Sequence, residues 1–213
     1  MTVAYTTLYD EVLPDVPGVP QNVALNAIRN AVIEFCEKTR IWVVDQAAIT
    51  GTINIAVYPF VPLAGTVVAG VVVGSAKYNG QRIEPTTQSE LSDNNVLWST
   101  RTGQPRHFLQ ENTKEFILTP MPSATLVNAI TMKVALKPTR ASTTVADWIV
   151  EMYREELAHG AKGKMFSMQK KPWSSADLAG YHTGRFDDAI AKARIRAAKS
   201  LGKGRLRTVA RFI

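Results

Sequence analysis

The chain of 213 residues has one cysteine, Cys36, and three histidines, His107, His159 and His182. A lone thiol excludes an intrachain disulfide and any cysteine-rich metal set, and it suits folding in a reducing cytoplasm. The histidines fall in three separate stretches, with neither an HExxH setting nor an i, i+4 partner, so no metal site is expected. Phosphate cradles are missing too: there is no GxxxxGK[ST], and no GxGxxG at a strand-to-helix junction, so Gly70, Gly74 and Gly80 read as turn residues. No apolar run approaches the roughly 18 residues that span a bilayer. The opening MTVAYTTLYDEV carries acids where a secretory signal would carry bases. Glu34, Glu151, Glu155 and Glu156 lie among basic residues on predicted helix faces, where carboxylates serve solubility. Cys36 falls on the apolar side of a helix and reads as a small core residue rather than a nucleophile. The expectation is a protein that is not an enzyme and holds no cofactor.

Acids are scarce in one region. From Arg185 to Ile213, nine Lys and Arg residues face only Asp187 and Asp188, whereas the preceding residues hold sixteen of each sign. A neutral body therefore carries the whole formal charge of +7 at one end, which is how an arm built to find a partner is charged. The last residues, KGRLRTVARFI, interleave cations with apolar side chains. They are too apolar for a purely solvated tail and too short to fold alone, so ordering on docking is expected. The candidate docking residues are Arg194, Arg196, Lys199, Lys203, Arg205, Leu206, Arg207, Val209, Arg211, Phe212 and Ile213. Two occupants fit this chemistry. Nucleic acid would pair through phosphates and show a steep salt dependence. An acidic protein groove would take Leu206, Val209, Phe212 and Ile213 while arginines pair at its rim. Phe212 is the single aromatic in the last 27 residues, which offers little stacking to bases and favours the protein groove.

The order of elements predicts an α+β fold: a three-helix bundle drawn from both chain ends, plus a central antiparallel β module, a small sandwich or barrel. Residues 1–18, with Pro14, Pro17 and Gly18 followed by Pro20, read as an extended N-terminal arm. A helix then starts near Pro20 and ends near Thr39, with Ala24, Ile28, Ala31 and Phe35 on its apolar stripe. From Ile41 to Lys137 the period is two, as in Ile53, Ile55, Val57 and in Ile130, Met132, Val134, Leu136. Asn79-Gly80 marks a two-residue hairpin, because both central positions of a type I′ turn need positive φ. Helical spacing returns with Ile149, Tyr153, Leu157, Ala161 and Met165. After an N-cap offered by Ser174 and Ser175 it continues with Leu178, Phe186, Ala189, Ile190, Ala193 and Ala197. Residues 19–40 and 140–201 make the bundle, 41–139 the β module and 202–213 the basic C-terminal arm.

Four stretches in register resemble the head-to-tail adaptor proteins of tailed bacteriophages, including the tail tubular protein A group of short-tailed phages. They are LPDVPGVPQNVALNAIRNAVIEFCEKTRIW; SAKYNGQRI; TGQPRHF followed by FILTPMP; and the long segment from Trp148 to Ala193 containing Gly160-Ala161, Pro172-Trp173, Tyr181 and Phe186. The resemblance implies a non-enzymatic virion subunit, made in the bacterial cytoplasm. It would form a dodecameric ring beneath the portal protein and offer a platform to nozzle or other tail proteins. Helices would form the ring wall, the β module would face the neighbouring or distal component, and the C-terminal arm would reach the portal. DNA would pass through the channel without sequence-specific binding, and no membrane would be involved. A nucleic-acid-binding protein and another phage neck component, such as a head-completion or stopper protein, stand as the alternatives.

Overall fold

A computed structural model describes residues 1–94 and 97–199. The chain divides into two compact units, one of Met1–Ile41 with the described residues from Pro138 onward, the other of Trp42–Lys137.

The first unit opens differently from the extended arm that its prolines suggest. Strand Thr2–Ala4 pairs antiparallel with Thr144–Ala146. A 3-10 turn at Tyr5–Leu8, the short helix α1 (Tyr9–Val12) and a second 3-10 turn at Leu13–Asp15 follow. Pro14 occupies the first turn of that last element, where no backbone N–H is needed. The breakers thus end a helical run instead of preventing one. Tyr5, Leu8, Val12 and Val16 are fully buried, and their spacing of three, four and four residues is the helical signal that the prolines mask.

The first long helix is α2 (Gln21–Thr39). In α2, Ala24, Ala27, Ile28, Ala31, Val32, Phe35 and Cys36 form one buried face. Thr39 donates its hydroxyl to the Phe35 carbonyl at 2.7 Å, and Arg40 closes the helix in the left-handed region with φ 51°.

The second unit contains four small sheets among the described residues. Lys133–Pro138 is central to one, between Val43–Asp45 and Thr66–Val71. Another orders Ile49–Gly51, Leu126–Thr131, Lys77–Tyr78 and Gln81–Arg82. Asn79 and Gly80 join the last two strands with φ of 47° and 76°, the positive pair that a type I′ hairpin requires. A third orders Val57–Pro59, Glu115–Thr119, His107–Leu109 and Glu84–Pro85, and Thr102–Gly103 pairs with Met121–Pro122. Glu84–Pro85 pairs parallel with His107–Leu109, as does Thr102–Gly103 with Met121–Pro122. A hairpin cannot make a parallel pair, and the first of these is joined through a crossover that includes α3 (Gln88–Asn94).

Ile130, Met132, Val134 and Leu136 are all buried, as strand alternation demands. The alternation at Ile53, Ile55 and Val57 has another meaning. Residues 52–56 form a turn, with Asn54 at φ 58° and the Ile55 N–H donating to the Thr52 carbonyl, and the three apolar side chains are exposed. An Asn that accepts positive φ here outweighs the periodicity. The core of this unit gathers Phe116 with Tyr58 and Phe60, at ring separations of 5.8 and 5.0 Å, beside Val68, Ile83 and Leu118. Each large apolar side chain so buried contributes about 1.5–3 kcal/mol relative to an exposed one.

The remaining helices of the first unit are α4 (Asp147–Phe166) and α5 (Ala176–Lys199), and α2, α4 and α5 pack pairwise. Phe35 of α2 joins all three, lying 4.8 Å from the Tyr153 ring of α4 and 6.2 Å from Phe186 of α5. Ser175 caps α5, its hydroxyl oxygen accepting from the Leu178 N–H at 3.4 Å. Along α5 the buried face is His182, Phe186, Ala189, Ile190 and Ala193, while Leu178 is exposed. Gly160 and Gly163, which by propensity weaken α4, set how closely α5 approaches. A β-carbon on Gly160 would lie 2.7 Å from the Phe186 ring, and one on Gly163 would lie 2.8 Å from the Thr183 hydroxyl.

Candidate docking surface on helix α5

Three of the expected docking residues, Arg194, Arg196 and Lys199, stand exposed on the last turns of α5. Lys203, Arg205, Leu206, Arg207, Val209, Arg211, Phe212 and Ile213 lie outside the described residues. Arg196 is steadied by a weak hydrogen bond, its guanidinium donating to the Tyr153 hydroxyl at 3.5 Å. Cations at this end also oppose the partial negative charge of the helix terminus.

The groove between α4 and α5 encloses about 450 Å³ and mixes charge. Glu155, Glu156 and Asp188 line it together with Arg185, Lys192 and Arg196, over a floor of Ala189 and Ala193. Beyond it, α5 shows solvent an apolar set, Leu178, Tyr181 and Ile195, each exposed by 44–54%. Their intervals to Arg185, Asp188 and Lys192 are threes and fours, so all six lie along one stripe of the helix. That stripe pairs apolar side chains with charges of both signs, the chemistry of a protein-binding face rather than of a phosphate track. The Arg185 guanidinium sits 5.6 Å from the centre of the Tyr181 ring, which fixes one end of it.

The first unit also holds ionic contacts that carry no local sequence signal. Lys162, almost buried, donates to the Asp15 carboxylate at 2.5 Å, and this hydrogen bond holds Asp15 below the usual carboxylate range. Lys164 and Lys38 both donate to Glu34, at 2.5 and 2.6 Å. Burial alone would raise the Glu34 carboxyl, but the two lysines outweigh it and hold the group low. His159 and His182, read from sequence as unrelated, meet across α4 and α5 with their Nδ1 atoms 2.7 Å apart. They sit 23 positions apart on different helices, so only the helix crossing brings them together. Among the described residues no three His, Cys, Asp or Glu side chains converge in a way that would hold a metal ion. Cys36 is wholly buried, and burial pushes its thiol up to about 12, which leaves no thiolate to act as a nucleophile. No described helix is long and apolar enough to cross a membrane.

A neutral body thus carries an exposed mixed-charge helix stripe and a cationic helix end. The particular family follows from the sequence as a whole: the model of the SU10 adaptor protein family matches residues 3–209, and the chain belongs to that family. It is accordingly a structural phage adaptor, a virion component that binds other phage head and tail proteins. No curated protein sequence matches the chain.

Proposed function

We propose that this chain is the head-to-tail connector subunit of a tailed phage. It joins the portal vertex of the capsid to the tail as a dodecameric ring with an open channel for DNA. The carrying observation is the segregation of charge. All of the net +7 falls from Arg185 onward, and α5 carries the first of these cations to an exposed helix end. The residues from Arg194 to Ile213 form a cationic, apolar-studded terminus that seats on an acidic surface of the portal. The stripe of Leu178, Tyr181 and Ile195 lies against a neighbouring subunit, and the second unit faces the nozzle or other tail proteins.

Charge also orders the assembly. Twelve such termini brought close together repel one another until an acidic partner neutralises them. The free subunit is therefore monomeric or weakly associated and closes into a ring on the portal. Deleting residues 203–213 tests the docking role: the truncated chain keeps its helical circular dichroism and fails to co-sediment with portal rings. Normal attachment of the truncated chain would remove the proposal. A mobility shift of duplex DNA that survives moderate salt would favour the nucleic-acid alternative instead.

A further inference from the structure

We infer that His159 and His182 form a proton-operated clasp that fastens α5, with the cationic terminus it leads into, to α4. The geometry carries this inference. Two Nδ1 atoms at 2.7 Å can share only one proton, so one ring must donate from Nδ1–H while the other accepts with a bare Nδ1 lone pair and keeps its own proton on Nε2. A pair holding one extra proton still satisfies that contact. A pair holding two extra protons does not, because both Nδ1 atoms then carry hydrogen and face each other at hydrogen-bond distance. Full protonation therefore works against the closed helix pair.

The surroundings limit relief by other routes. His182 is buried and stacked on Phe166 at 5.5 Å with the ring planes only 12° apart, and Tyr181 meets both imidazoles edge-on, at 5.1 and 6.2 Å. From α4, Lys162 faces both rings as a cation, while Glu155 and Glu156 oppose it at His159. From α5, Arg185 adds positive charge at His159. From the N-terminal segment, Asp15 faces His182, but its carboxylate is already bonded to Lys162. Burial is the largest influence on each imidazole and, with these cations, holds both below the ordinary value of 6.5.

The sign follows. A histidine held low in the closed form takes up its proton more readily once the helices part, so the closed form is favoured fully above pH 6.5 and loses ground as pH falls below it. One pH unit below the ordinary value, each proton gained on opening favours the open form about tenfold. The clasp needs no knowledge of what α5 docks on. Neutral conditions hold α5 against α4, and mild acid opens that contact while the packing of Phe35 on Tyr153 still joins α2 to α4.

Two measurements on the full chain test the clasp. ¹⁵N imidazole spectra at pH 7.5 should show one ring of the pair protonated at Nδ1 and the other at Nε2. Amide hydrogen exchange, corrected for its intrinsic pH dependence, should speed up about tenfold around Phe186 and Ala189 between pH 7.5 and 5.5, with α2 amides changing much less. His159→Gln should flatten that pH response whatever it does to overall stability, because the readout is a slope. Both rings protonated at Nε2 in the neutral protein, or α5 exchange that is the same at both pH values, would overturn the inference.

Discussion

Replacing Gly160 by alanine isolates the α4–α5 contact with a single carbon atom. The added methyl would meet the Cε2, Cδ2 and Cζ atoms of Phe186 at 2.7, 2.8 and 2.9 Å, closer than carbon atoms pack. Phe186 has little room to yield, being 3% exposed and set against Phe35 at 6.2 Å. Overpacking of this kind costs about 1–3 kcal/mol, while exchanging glycine for alanine inside a helix returns about 1 kcal/mol. Gly180 on α5 supplies the control, since a β-carbon there meets nothing within 4 Å. Gly180→Ala gains the propensity term alone. The two variants should therefore differ by about 1–3 kcal/mol, and at about 2–4 °C per kcal/mol for a chain of this size Gly160→Ala should melt about 2–12 °C below Gly180→Ala. Scanning calorimetry of both proteins in the same buffer makes the comparison. Equal melting temperatures would refute the reasoning, because they would mean that α5 does not sit against Gly160 as closely as described.

Three further outcomes are expected. Cys36 should resist a thiol reagent such as Ellman's in the folded protein at pH 8 and react at once in denaturant, because the buried thiol is pushed up to about 12; rapid reaction in native buffer would contradict its burial. Gly80→Ala should cost about 1–2 kcal/mol in urea unfolding, since a side chain is strained at φ 76°, although nothing crowds the position; an unchanged midpoint would argue against the turn. Glu34 is held below its ordinary 4.5 by Lys164 and Lys38 despite its burial, so in acid the unfolded chain binds the proton first and stability falls as pH drops below 4.5. Glu34→Gln should reduce the slope of melting temperature against pH in that acid range, and an identical slope in both proteins would show that the lysine contacts carry no linkage.

What could be read in the residues was mainly what repeats. The stripes of α2 and α4 follow from apolar spacing along one helix, and Asn79-Gly80 is a local demand for positive φ, so both are visible without any tertiary knowledge. The early helical segment is hidden because Pro14, Pro17 and Gly18 read as breakers of the whole stretch, whereas the spacing of Tyr5, Leu8, Val12 and Val16 lies mostly ahead of them. Ile53 and Ile55 show the converse failure, a period of two that falls in a turn before the strand begins at Val57. The histidine clasp and the glycine contact with Phe186 had no sequence signal at all. Each depends on how α4 and α5 cross, and the spacing between the two helices contains no information about which faces meet. Charge was readable for a different reason: a run of cations needs no fold to be counted.

Electron microscopy of this chain bound to its portal tests the central claim most directly. The account predicts density for residues 200–213 leaving the end of α5 and entering an acidic recess on the portal, repeated around a closed ring. Density showing that terminus packed within its own subunit, with the portal touching some other face, would contradict it.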